Sequence, residues 1–321
     1  MNEEKQSKDN IECSEFRTSI GGQALIEGIM MRGPKKQAVV VRTKDGLVTK
    51  VEEIKLLSER YPIVGLPFVR GVINFVNSMT IGMRALMFSA DHMPEEEQDE
   101  PTRFEQWIEK RIGGEKAEKA LIAFSVVLAI GFSIGLFILL PTFLAGFLSD
   151  FIDNRILRNL AEGVLRITIF IIYLWLTSRL NQIKRVWAYH GAEHKTIACY
   201  EKGLSLTVEN VVLQSKQHPR CGTSFLFIVM IVSILVFSFT GWENLWVRIG
   251  LRLLLLPVVV AISYEIIKLA GRYDNILTRI ISAPGKALQK LTTREPDEPM
   301  IEVAIEAMKL VVPEDEKEAA W

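Results

Sequence analysis

The sequence predicts a membrane α-helical fold: four transmembrane helices, a small N-terminal β-rich (α+β) cytoplasmic module and an amphipathic C-terminal helix. Three observations predict it. Of the 321 residues, 49% are hydrophobic and the formal net charge is zero, yet the charges are segregated. Residues 121–149 carry none, while both termini are dense in them. A β-branched run, Val39-Val40-Val41, precedes the turn signal Asp45-Gly46, and a second run, Leu47 to Val51, follows it.

Residues 1–19 are polar and charged, with no apolar run behind a basic start. They read as a disordered head without a signal peptide. Residues 20–60 form the β-rich module. Gly21-Gly22, Gly28 and Gly33-Pro34 punctuate it, as tight turns or as places where backbone approaches a ligand closely. In residues 61–92 apolar side chains recur at Val69, Val72, Ile73, Val76, Met79, Met83 and Leu86. This is an amphipathic helix on the membrane or against the bundle, since Arg70 and Arg84 would need partners inside a span. His92, beside Asp91, reads as a surface residue, and residues 93–118 as an acidic linker.

Residues 119–272 form the transmembrane domain. Leu121–Ser149 exceeds the ~20 apolar residues a spanning helix needs. The second helix runs from about Leu160 to Leu180, the third from Cys221 to Trp242 and the fourth from Leu251 to Ala270. Loop 181–220 carries Lys184, Arg185, Lys195, Lys202, Lys216 and Arg220, and Arg272, Arg279, Lys286 and Lys290 follow the fourth helix. The opposite loops hold only Arg155, Arg158 and Arg248. The excess of positive charge places both termini and loop 181–220 in the cytoplasm, in a multi-pass protein of the cell membrane. Residues 273–321 are a cytoplasmic tail, with an amphipathic helix marked by Ile301, Ala304, Met308 and Val311. The three cysteines (13, 199 and 221) are odd in number and far apart, which suits a reducing compartment rather than a disulfide framework. Zero net charge gives no footprint for nucleic acid.

Only four histidines occur, and two fall in WAYHGAEHKTIACY as His190-x-x-Glu193-His194. On a helix, His190 and His194 share a face and can grip one divalent ion. Glu193 is then placed to activate water, as in the inverted zincin motif. Gly191 counts mildly against a rigid helix, at about 1 kcal/mol relative to Ala. If the second helix continued, Leu180, Ile183, Trp187, His190, His194 and Ile197 would form one inward stripe. His218 and Cys221 lie before the third helix, and Glu265 lies near the cytoplasmic end of the fourth. Two ligand sets follow. His190, His194 and Glu265 would leave an open site with Glu193 as base, whereas His190, His194, His218 and Cys221 would close a structural one. Either donor set suits zinc. The plainer alternatives are Glu265 paired with Lys268 or Arg252, His218 as a loop residue, and Cys221 and Cys199 as packing; on the metal reading, Tyr273 and Asp274 would be groups supporting the ligands.

The segments GGQALIEGIMMRGP, AYHGAEHKTIACYE, HPRCGTSF and REPDEPMIEVAIEAM together resemble the YqhQ family of bacterial multi-pass membrane proteins. The resemblance covers about Ile20 to Val312 and implies a metal-dependent enzyme with no assigned substrate. The expectation from the residues is a zinc-dependent hydrolase at the cytoplasmic membrane surface, acting on a peptide or a lipid-linked group. A non-catalytic scaffold with a structural metal is the alternative, its N-terminal module or tail binding a protein partner. A transporter using Arg166, Arg252 and Glu265 is the other. Membrane lipids are the expected surroundings in each case.

Overall fold

A computed structural model describes residues 16–54, 61–93, 103–148, 151–218, 221–239, 244–273 and 275–319. Cys13, Pro219, Arg220, Trp242 and Asp274, which figure in the sequence reading, lie outside these residues. The N-terminal module is an antiparallel meander of β1 (Gly21–Leu25), β2 (Gly28–Arg32), β3 (Lys36–Thr43) and β4 (Gly46–Glu53), in that spatial order. Val40 pairs with Ile29 on one side and Thr49 on the other, and Gly46 takes the φ of +130° that the tight β3–β4 turn requires.

The Val39–Val41 run is continuous because both faces of the sheet are covered. Val40, with Ile29 and Met31, faces α6 (Asn181–Glu201) and α11 (Glu298–Val311). Val39 and Val41, with Leu25 and Met30, face Ala85 and its neighbours on α1 (Val69–Asp91). A strand alternates its side chains, so an uninterrupted apolar run signals cover on both sides.

Helix α2 (Arg103–Ile112) lies within the stretch expected as linker and is followed by α3 (Gly114–Ile134). A π turn, Gly135–Leu139, joins α3 to α4 (Leu140–Leu148). Next come α5 (Arg155–Thr177), α6, the short α7 (Val208–Val212), α8 (Gly222–Phe237), α9 (Leu245–Arg272), α10 (Ile276–Thr292) and α11. Among the described residues, three segments are long and apolar enough to cross a membrane: Ala120–Phe147, Ile156–Thr177 and Leu245–Arg272. The protein is therefore a membrane protein. The expected third span is shorter than the sequence suggested, because α8 has 16 residues.

Two further differences concern the expected site. The second transmembrane helix does not continue into the histidine segment: the chain turns at Ser178–Leu180 and starts a new helix. The segment expected as a loop from 181 is thus helical through Glu201. From Ala188 to Ile197 every residue of α6 is buried, polar ones included. The sheet, α11 and the α7 segment surround it, and Arg185 and the Tyr189 hydroxyl bind the Glu27 carboxylate at the β1–β2 turn.

A second buried polar region lies within the bundle. The Glu162 carboxylate accepts from Arg166 at 3.0 Å and from Arg252 at 2.6 Å, and Thr142 donates to it at 3.0 Å. Arg166 also donates to Ser233 and to the Phe137 carbonyl in the π turn, and both guanidiniums lie over the Phe237 ring, at 5.2 and 5.5 Å. Arg248 donates to the Thr142 carbonyl.

Candidate metal centre

Helix α6 sets His190 and His194 one turn apart, with ring centroids separated by 4.3 Å. Each imidazole is held by its Nδ1. His190 Nδ1 lies 2.7 Å from the Thr292 carbonyl at the end of α10, and His194 Nδ1 lies 2.7 Å from the Lys216 carbonyl. A carbonyl oxygen only accepts, so each Nδ1 carries the proton and each Nε2 carries a lone pair. Those two Nε2 atoms converge on Cys221, the residue that caps the start of α8. Its Sγ is 3.1 Å from His190 Nε2 and accepts from the Thr223 hydroxyl at 3.3 Å.

Among the described residues, the donor atoms of His190, His194 and Cys221 lie within 4.8 Å of one another, and all three residues are buried. Neighbouring ligands on a tetrahedral zinc lie roughly 3.5 Å apart, given Zn–N and Zn–S bonds of about 2.0–2.3 Å. Two imidazoles and a thiol can therefore occupy three corners of such a site, and their fixed tautomers suit it. Burial also holds His194 below its ordinary pKa, although Cys221 works in the opposite direction. The neutral imidazole is the form that ligates.

Glu193 sits next to this group without joining it. Burial pushes its carboxyl up to about 7, against His190 and the Gly22 amide, which work to lower it. Its Oε2 has no hydrogen-bond partner among the described residues. A Cβ on Gly22 would come within 3.0 Å of the Glu193 carboxyl carbon and 2.7 Å of the Met30 carbonyl. The Gly21-Gly22 pair, ambiguous in the sequence, thus lies in β1, and Gly22 lets the strand reach the carboxylate. Gly191 has a related role, because a Cβ there would collide with the Arg294 carbonyl. The helix runs through Gly191 because the packing needs a bare backbone at that point.

Two expected ligands are placed elsewhere. Glu265 is bound by Arg70, with Nε at 2.8 Å, and accepts from the Phe68 amide at 3.3 Å. This salt bridge joins α1 to α9 and replaces the expected partners Lys268 and Arg252. His218 is close to His194, at 5.7 Å between ring centroids, but its Nε2 lies 3.3 Å from Glu201. Its backbone is clamped by Gln289 through two hydrogen bonds of 2.9 and 2.7 Å. Tyr273 is exposed at the C-cap of α9 beside Arg272, Cys199 packs in the core, and His92 packs against Phe88.

With this geometry in place, comparison with known proteins gives the family. Residues 66–314 match the model of a family described as a protein of unknown function (DUF1385). The chain belongs to this family. It is also 34% identical over 292 residues to the uncharacterized protein YqhQ of Bacillus subtilis (strain 168), covering 89% of this chain and 90% of that one. No solved structure matches. The region matched by the family model contains His190, Glu193, His194 and Cys221, whereas Gly22 lies before it.

The sequence reading missed the groups that orient the site. The carbonyls of Lys216 and Thr292 leave no mark on residue identity, since any residue supplies one. The Gly21-Gly22 pair was visible as a signal, but its target, 171 positions on from Gly22, was not.

Proposed function

We propose that this protein is a membrane metallohydrolase in which His190 Nε2, His194 Nε2 and Cys221 Sγ hold a zinc ion. The observation that carries this reading is the convergence of three buried lone-pair donors, each imidazole locked through Nδ1 in the tautomer that ligates. Bound there, zinc would supply a Lewis acid and a water acidic enough to be deprotonated near neutral pH. Glu193 would be the base for such chemistry, because burial raises its carboxyl to about 7 and its Oε2 has no partner among the described residues. The Gly22 amide orients the carboxylate. With His218 turned to Glu201 and Glu265 to Arg70, the three donors leave a fourth position for substrate or water.

The same reading takes α8 as a crossing too, the third of four in chain order, and places α6, the sheet and both termini in the cytoplasm. Support comes from the concentration of Lys and Arg in residues 181–220 and after α9. A second reading, a purely structural metal, draws on the burial of all three donors.

Metal analysis by mass spectrometry of the purified full-length protein tests the site. Near-stoichiometric zinc is expected in the wild type, with loss in His190→Ala/His194→Ala and in Cys221→Ala. Zinc-free wild-type protein after zinc supplementation would remove the proposal. Glu193→Gln separates the two readings. Retained zinc with lost cellular function supports hydrolysis, whereas retained zinc with intact function leaves the structural role.

A further inference from the structure

Beside the histidine pair lies an open cavity of about 780 Å³, within the ~300–1,000 Å³ usual for ligand sites. Its walls come from the end of α5, the start of α6, Lys216, and the segment from Lys290 to Glu295. Five cationic side chains line it (Arg179, Lys184, Lys216, Lys290 and Arg294) against a single carboxylate, Glu295. That carboxylate is already taken. Lys195 binds it at 2.9 Å and Lys216 at 3.2 Å, and together they hold it below its ordinary pKa although burial works to raise it. Among the described residues, Arg179, Lys184, Lys290 and Arg294 have no acidic partner. Arg294 donates to the Ser178 carbonyl, Lys184 to Asn181, and Arg179 lies over the Trp175 ring at 4.6 Å.

Four uncompensated cations facing one cavity match an anion with several acceptor oxygens, which is the chemistry of a phosphate. The position selects its source. Trp175 belongs to the last turn of the span Ile156–Thr177 and is exposed, and Arg179 follows four residues later in the turn that ends the helix. Amphipathic rings and cations at the end of a span mark the level of lipid headgroups. We infer that this cavity receives the phosphate-bearing headgroup of an anionic membrane lipid. The wall it rests against contains Lys216 and Thr293, and the carbonyls of Lys216 and Thr292 orient the two imidazoles. As the substrate side of the proposed hydrolase, the assignment rests on that reading and makes the substrate a lipid phosphoester or phosphoanhydride. As a lipid site it stands on the cavity alone.

The test is lipid retention by the full-length protein in nanodiscs of phosphatidylcholine doped with phosphatidylglycerol, read by native mass spectrometry beside zinc content. Wild-type protein is expected to retain phosphatidylglycerol selectively. Arg179→Ala/Arg294→Ala should lower retention about tenfold or more, with zinc and melting temperature preserved. Arg272→Ala/Arg279→Ala, which removes two exposed cations at the same end of the bundle but outside the cavity, should not change it. Equal loss in both double variants would reduce the effect to general surface charge and overturn the proposal. Saturable binding of inorganic phosphate that phosphatidylglycerol fails to displace would assign the cavity to a soluble phosphate and overturn the lipid. Wild-type protein that holds zinc but does not select phosphatidylglycerol defeats this inference and leaves the metal centre standing. Zinc-free protein that still selects phosphatidylglycerol does the reverse.

Discussion

The two buried polar regions of this protein are built on opposite plans. In the bundle, Arg166, Arg248 and Arg252 surround one carboxylate, Glu162, so hydrogen-bond donors are in excess. Much of the surplus is taken up by Thr142, Ser233, the Phe137 carbonyl and the Phe237 ring, although Arg252 Nε has no hydrogen-bond partner among the described residues. Around α6 the acceptors are in excess: the lone pairs of two imidazoles share one nearby candidate donor, the Cys221 S–H. Helix α8 connects the regions, with Cys221 capping its start and Ser233 twelve positions on, about 18 Å away at 1.5 Å per residue. The difference teaches where a ligand is called for. A cluster of cations is largely closed by its own neighbours, whereas two imidazole lone pairs that share one S–H can also be completed by a positive ion, and α8 ties both to one rigid rod.

The largest effect expected concerns the bundle. Glu162→Ala leaves buried guanidiniums without their carboxylate and should cost about 3–5 kcal/mol, read as lowered thermal stability in detergent. Chelator should destabilise this variant and the wild type by the same increment. If Glu162→Ala instead abolished the chelator effect, the two regions would not be separate. Next comes Gly191→Ala. Helix propensity alone predicts a gain of about 1 kcal/mol, but the collision with the Arg294 carbonyl predicts a loss of about 1–3 kcal/mol. The sign of the change in melting temperature decides between them. Gly22→Ala crowds the Met30 carbonyl and Glu193 and should cost about 1–3 kcal/mol, with zinc content unchanged because Glu193 is not a donor in the cluster. The smallest effect is expected from Glu265→Ala. Its pair with Arg70 has side-chain exposures of 18% and 26%, so about 1 kcal/mol or less is at stake. Zinc should stay bound; its loss would return Glu265 to the ligand set.

Much of the fold was legible. The β3–β4 hairpin follows from Asp45-Gly46 between apolar runs, and the uncharged stretches gave three helices of spanning length. Helix α11 also appears where Ile301, Ala304, Met308 and Val311 mark it, but it is buried on nearly every side between the sheet and α6 rather than presented as a free tail. At the site, His190-x-x-Glu193-His194 was legible because helical spacing is local, while Cys221 was legible only as a member of one of two rival ligand sets. Glu265 misled because a carboxylate near the end of a span looks the same whether its partner is a metal or Arg70.

The sequence by itself determined the helix carrying both histidines, the long apolar helices and the sheet, because these depend on periodicity within a few turns. Only the tertiary structure decided that Cys221 rather than Glu265 faces the imidazoles, and that Gly22 and Gly191 are contact points. It also brought Lys216 and Thr292 to the two Nδ1 atoms. Those outcomes depend on backbone groups and on residues far apart in the chain, which meet only once the sheet, α6, α10 and α11 have packed together.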